Sequence, residues 1–403
     1  MDSSSRIESH LSRRQILAGA AALTAGALWP GARPANAASL LLPDPSANGI
    51  ARGQIFDNQI PDRSVYAGLV DFVWGASTPA QPAGAVPSGY LPAFRDFDRT
   101  HTLAWYQANH PDWVVYQADR VTPAWEFGNT LYVPIDVTNA AVRTYYFTTF
   151  VQPLIDRGYP IIGFDNVATP NVYNSAGHYD ADGAWVQQYD GRDDRAWPAA
   201  VLGWLGYLAG QLHARDVAMA ANITWNASVV LSDIQQAVGL VDIYVDEQGF
   251  TVHRDSNYND QAWRDKFDFA RSVAPGKLYL AINQTTAADL ADASQAQVDW
   301  AIANYLLYRE RLSMMTLCGV GQYHVFVDRP ELHTDIGTPS SAPVQDATGG
   351  WKRGYTGGRV LVNPSSTQAV TMVLPAGTWT DLHGATHSGH ITLPPNSATV
   401  LSS

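Results

Sequence analysis

From about residue 64 to residue 325, short apolar runs alternate with longer stretches whose apolar positions recur at helical spacing. This predicts repeated strand–helix units on a parallel sheet. The eight runs are Val65 to Trp74, Thr102 to Tyr106, Leu131 to Asp136, Pro160 to Asp165, Ala218 to Asn222, Val241 to Asp246, Lys277 to Asn283 and Met314 to Val320. Between them, Val201, Trp204, Leu205, Leu208, Ala209 and Leu212 share one helical face, and Val298, Ala301, Ile302, Tyr305 and Leu306 share another. Asn139 ahead of Val142, and Asn259 ahead of Trp263 and Phe267, are the expected N-caps of two more helices. Eight units in roughly 260 residues predict an α/β protein with a closed (β/α)8 TIM barrel, over residues 61–340. An open doubly wound sheet would need a phosphate-binding glycine turn after its first strand, and Trp74-Gly75-Ala76-Ser77 is not one. The Ala/Pro/Gly stretch from Ala76 to Gly89 reads as a long surface loop.

Two segments fall outside this pattern. Helical periodicity stops after Thr338-Pro339-Ser340-Ser341-Ala342-Pro343, and short alternating runs separated by Asn-Pro, Pro-Ala-Gly and Pro-Pro turns follow. Residues 346–403 are therefore expected to form a small C-terminal antiparallel β domain, sandwich-like and packed on the barrel for support. At the other end, Ser12-Arg13-Arg14-Gln15-Ile16-Leu17, the apolar stretch Ala18 to Leu28 and Ala35-Asn36-Ala37 stand in the order of a twin-arginine export signal. Residues 1–37 are read as that signal and 38–60 as an N-terminal extension, with the product exported to the periplasm or the outside. The 11-residue apolar stretch is too short for a bilayer span, which needs about 20 residues.

Composition narrows the chemistry. Lys+Arg 25 against Asp+Glu 37 gives a charge of −12, which offers no basic face to nucleic acid or to an anionic membrane. One cysteine, Cys318, excludes an internal disulfide or a cysteine-rich metal site, and its place in an apolar run makes it a core thiol. No His-x-His pair ends the first strand, and His110, His178, His253 and His324 are scattered, so no metal site and no cofactor are expected. Asp180-Ala181-Asp182-Gly183 starts like a calcium loop but lacks its distal Glu. Nothing calls for an obligate protein partner.

In a barrel the reactive groups end the strands. Here those ends carry carboxylates and amides: Asp136, Asp165-Asn166, Asn222, Asp246-Glu247-Gln248 and Asn283-Gln284. Trp74, Trp105, Tyr106, Trp225, Phe250 and Tyr323 frame the same rim. Carboxylates, amides and flat rings suit a neutral, hydroxyl-rich ligand, so the expected partner is a carbohydrate. Glycosidic cleavage needs one ionised and one protonated carboxyl group across the bond. The pair expected here is Asp165 as nucleophile, from strand four, and Glu247 as acid/base, from strand six. Asp246 is its alternative, because neighbouring strand residues point to opposite faces and only one can aim into the cleft. Trp74, Trp105, Asp136, Asn166, Asn222, Trp225, Asn283, Tyr323 and Arg329 are the expected substrate-binding residues. Asp119, Arg120, Arg254 and Asp328 are further positioning candidates, or else solvated ion pairs.

The stretch Val133-Pro134-Ile135-Asp136-Val137-Thr138-Asn139, with Val142-Arg143-Thr144-Tyr145 and Gly158 to Asn166, resembles glycoside hydrolases related to the endo-α-1,4-polygalactosaminidases. More distantly it resembles α-galactosidase-type barrels. The resemblance implies a catalytic Asp ending strand four, a second carboxylate ending strand six and a β domain after the barrel. Asp165 and Asp246/Glu247 match those positions. A non-catalytic carbohydrate-binding barrel is the competing reading, with the acids serving only as hydrogen-bond acceptors.

Overall fold

The computed structural model describes residues 40–45, 49–125, 128–226, 229–252 and 256–403. The expected export signal, His253 and Arg254 lie outside the described residues. Eight parallel strands follow one another around a single sheet: β1 (Gly53–Ile55), β2 (Phe72–Trp74), β3 (Val86–Pro92), β4 (Ile161–Val167), β5 (Ala218–Ile223), β6 (Ile243–Asp246), β7 (Leu278–Gln284) and β8 (Ser313–Cys318). The ring closes where Arg52 bridges Met315 and the Met315 N–H donates to the Ala51 carbonyl at 2.9 Å. Alternation sorts the side chains. Ile161, Ala218, Ala220, Ile243, Val245, Leu278, Leu280 and Ile282 fill the barrel with Phe72 and Trp74, whereas Tyr244 and Tyr279 face the surrounding helices.

The structure corrects four elements of the sequence reading. Thr102 to Tyr106 is not a strand but the start of helix α1 (Leu103–Asn109), because the Thr102 hydroxyl caps the Trp105 N–H and opens a turn. Leu131 to Asp136 makes only isolated bridges, Pro134 to Arg95 and Ile135 to Val114. Two barrel strands lie where none was expected. β1 falls inside the supposed 38–60 extension, so the barrel begins before residue 61, and β3 falls partly inside the supposed loop. β3 reads Val-Pro-Ser-Gly-Tyr-Leu-Pro, a composition that argues against a central strand. It is tolerated because the ladder to β2 stops at the Val73–Pro87 pair and because β3 pairs with β4 from Ser88 onward. Two strands lost and two gained before residue 160 leave the ordinals of β4 and β6 unchanged.

The expected helices carry the outer layer. α2 (Ala140–Tyr146) is capped by Asn139, which accepts the Ala141 N–H. It continues through a π turn, Phe147–Val151, into α3 (Gln152–Asp156). α4 (Ala196–His213) and α5 (Leu231–Leu240) follow, and α6 (Asp260–Val273) starts after Asn259, whose side chain makes no capping bond. α7 (Gln295–Tyr308) is buried on nearly all sides. The C-terminal strands cover its outer face: Tyr355 donates to the Leu306 carbonyl at 2.6 Å and Arg353 to the Arg309 carbonyl at 2.7 Å. Those strands form a six-stranded antiparallel sheet with a separate two-stranded ribbon over Leu361, Met372, Leu374, Leu393 and Leu401. In the insert between β4 and α4, Ser175–Tyr179 pairs with Trp185–Asp190, and Tyr116–Gln117 adds a third antiparallel strand.

Candidate active site

Near its end β4 becomes irregular. Its register with β5 shifts between Phe164 and Val167, and Asn166 takes a left-handed φ of 61°, which asparagine tolerates better than most residues. Asp165 keeps the inward parity of Ile161 and opens at the barrel mouth. Its Oδ2 accepts the Tyr90 hydroxyl from β3, and its Oδ1 accepts the Asn222 amide from β5 at 2.7 Å. The same Asn222 nitrogen donates to Glu247 Oε2 at 2.9 Å. Glu247 Oε1 in turn accepts the Tyr323 hydroxyl at 2.9 Å, and that hydroxyl is held by the Gln284 amide from β7. One amide nitrogen therefore joins the carboxylates, and the two bond lengths laid end to end limit the separation of the bridged oxygens to about 5.6 Å.

Burial, and then the negative charge of Glu247, raise the Asp165 carboxyl above the ordinary carboxylate range, against the pull of Tyr90, Asn222 and the Asn166 N–H. Burial and the same carboxylates raise Tyr90 and Tyr323, which stay protonated as donors. Cys318, inside the barrel, is pushed up to about 12 by burial and is inert as a nucleophile.

Asp246 points the other way. It is buried against α6, where it pairs with Lys266 and accepts the Tyr279 hydroxyl at 2.6 Å. Its neighbours Tyr244 and Tyr279 belong to the layer outside the barrel. Strand parity separates the two acids: Glu247 shares the Asn222 amide with Asp165, and Asp246 turns to Lys266 and Tyr279.

Tyr323 and Asn222 join the pair, and Asn166 borders it through its backbone. The remaining expected contacts lie elsewhere. Trp74 is 3% exposed and packs edge-on to Tyr90, filling the barrel beneath the site rather than offering it a face. A Cβ at position 163 would stand 2.6 Å from that indole, so Gly163 makes room for it. Trp105 stacks on His101 from α1, because its run is a helix and not a strand end. Asp136 closes the turn into α2, accepting the Thr138 N–H at 2.9 Å and the Gln188 amide at 2.9 Å. Trp225 covers the Lys266 ammonium at 4.7 Å, outside the barrel. Asn283, on the outward parity of β7, accepts the Phe250 N–H at 2.9 Å. Arg329 pairs with Glu331 at 2.8 Å and ties down the Leu290 carbonyl, also at 2.8 Å. Asp119 caps the Thr122 N–H, Arg120 lies over Trp185 and Asp328 pairs with Arg52.

Sequence reasoning missed Tyr90, Gln284 as the support of Tyr323, and an aromatic wall. Phe56 lies 5.0 Å from Tyr90 and 6.5 Å from Tyr323, and Tyr90 lies 6.5 Å from Phe97. The inward parity of Gln284, two residues past Ile282, was a usable signal. Phe56 and Tyr90 belong to the two unread strand regions.

No protein-family profile matches the sequence, and no curated protein matches it. Among solved structures, similarity is found to an α-amylase from Anoxybacillus, at 10% identity and a TM-score of 0.41 over 79% of this chain and 75% of that one. It is also found to a GH31 dextranase from Flavobacterium johnsoniae, at 10% identity and 0.45 over 90% and 52%. A GH36 α-galactosidase from Geobacillus stearothermophilus gives 10% and 0.39 over 79% and 45%. The chain spans about half the length of the last two. Likenesses this distant say nothing of chemistry.

Proposed function

We propose that the protein is a glycoside hydrolase that retains anomeric configuration, with Asp165 as nucleophile and Glu247 as acid/base. The observation that carries this reading is the Asn222 amide joined to both carboxylates. Bridged oxygens held within about 5.6 Å of each other fit the spacing of roughly 5–5.5 Å used for direct attack, and fall short of the roughly 6.5–9.5 Å that leaves room for a water. In the first step an Asp165 oxygen bonds to the anomeric carbon while the glycosidic C–O bond breaks, and the leaving oxygen takes the Glu247 proton. Glu247 then removes a proton from water, whose oxygen displaces Asp165. Three donors around Asp165 against two around Glu247 are the support for placing the ionised role on Asp165; burial and the Glu247 charge work against it and hold the Asp165 carboxyl above its ordinary range.

The test is reducing-sugar release from a panel of plant and microbial polysaccharides, with a galactosamine polymer included on account of the resemblance around residues 133–166. NMR then follows the anomer formed first. Cleavage with retained configuration is expected. An inverted first product would contradict the spacing, and binding without cleavage would make the barrel a carbohydrate receptor.

The electrostatics make a separate prediction. Glu247→Gln removes the charge that raises Asp165, so the acidic limb of residual activity on a dinitrophenyl glycoside is expected to move to lower pH. An unmoved limb would mean that the two groups do not interact. The twin-arginine pattern supports export, and N-terminal sequencing of exported protein is expected to begin at Ala38. A chain still starting at its first residues would count against it.

A further inference from the structure

Past β3 the aromatic wall continues away from the carboxylates. Phe97 lies 6.5 Å from Tyr90, edge-on, and 5.0 Å from Tyr132, tilted, so Tyr90, Phe97 and Tyr132 form a row of ring contacts that leads from Asp165. Its outer end is open. Phe97 is 36% exposed, and Leu131, next to Tyr132 in the chain, is 63% exposed.

The backbone beneath that end is fixed. Asp96 is fully buried and accepts the Tyr106 hydroxyl, the Tyr145 hydroxyl at 3.0 Å and the Asp98 N–H at 2.6 Å, with His101 Nδ1 at 2.8 Å. Its own N–H donates to the Val133 carbonyl at 2.9 Å, which locks the segment carrying Phe97 to the one carrying Tyr132. The Arg99 guanidinium donates to the Tyr132 hydroxyl at 3.2 Å and lies over that ring, 5.7 Å from its centroid, so Tyr132 backs the row and Phe97 is its open ring. Single exposed apolar residues are ordinary, but a contiguous row on locked backbone, leading from a catalytic pair, is a preorganised face. Flat rings suit the C–H face of a pyranose.

We propose that this row is the binding track for the sugar units beside the scissile bond, with Phe97, backed by Tyr132, stacking on the second unit. The substrate is then an oligo- or polysaccharide and not a simple glycoside. This rests on the hydrolase reading above.

The test compares Phe97→Ala and Phe97→Trp with the native chain on the polysaccharide cut in the panel and on the 4-nitrophenyl glycoside of its sugar. Phe97→Ala is expected to lose about tenfold more kcat/KM on the polymer than on the nitrophenyl glycoside, through KM, and Phe97→Trp to recover most of it. Equal losses on both substrates, or none, would overturn the track while leaving the hydrolase reading intact. Electrophoresis in gels containing each panel polysaccharide gives a readout independent of turnover. Native protein should be retarded by the substrate polymer and Phe97→Ala less so. If no polysaccharide is cut or retards the protein, both readings fall together.

Discussion

Replacing Asp165 with asparagine is expected to cut turnover by about 10⁴-fold or more while leaving the protein at least as stable at neutral pH. Activity falls because the amide cannot form the covalent bond that the proposed mechanism requires. Stability follows from the environment of the carboxylate. Burial and Glu247 raise it above its ordinary range, so its charged form is penalised on folding. A raised carboxyl contributes most to stability at low pH, where it is protonated, and that contribution is lost as pH rises past the unfolded value of about 3.9. Asparagine carries no such penalty. The thermal midpoint of Asp165→Asn is therefore expected to exceed that of the native chain at pH 7, with the gap closing as pH falls toward 4. An inactive variant that is also destabilised at pH 7 would point to a structural carboxylate, one held for the fold instead of strained for chemistry.

The second half of the barrel was legible because its strands are continuous apolar runs. The runs that became β5 to β8 needed only small changes of boundary, since strands covered on both faces carry little polar interruption. The first half was not. β1 is three residues, Gly-Gln-Ile, and β3 contains two prolines and a glycine, so neither shows the periodicity that marks a strand. Meanwhile Thr102 to Tyr106 and Leu131 to Asp136 are apolar for other reasons, the first to pack a helix and the second to line a bridged loop. That failure reaches the candidate site. Asp165, Asn222, Glu247 and Tyr323 could be named because they end or follow readable strands. Tyr90 and Phe56 could not, because they sit in or beside unreadable ones. Trp105, Asp136 and Trp225 were drawn in by proximity to strand ends, whereas the side-chain direction that decides contact depends on register, which composition does not report.

Asp246→Ala is expected to do the reverse of Asp165→Asn, destabilising the fold by about 3–5 kcal/mol because it leaves the Lys266 ammonium buried and unpaired. Lys266 and Asp246 are both almost wholly buried, and the Trp225 face 4.7 Å from the ammonium cannot replace a carboxylate. The Tyr279 hydroxyl loses its acceptor as well. Burial already holds Lys266 below the usual lysine range, and loss of its partner removes the interactions that oppose this. The folded variant then binds fewer protons than the unfolded chain, so its stability rises with pH. Urea unfolding is accordingly expected to show a deficit against the native chain that narrows between pH 6 and pH 9. Substituting the pair together, Asp246→Leu with Lys266→Met, should restore most of the loss, since an apolar pair of similar volume is neutral or better in such a site. A deficit independent of pH, or a double variant no better than the single, would mean that Asp246 is not the counter-ion of Lys266. Glu247→Ala, one residue along, should leave the urea midpoint nearly unchanged and abolish turnover. Opposite outcomes at adjacent positions follow from the alternation of a strand, which directs one acid to the helices and the next to the cleft.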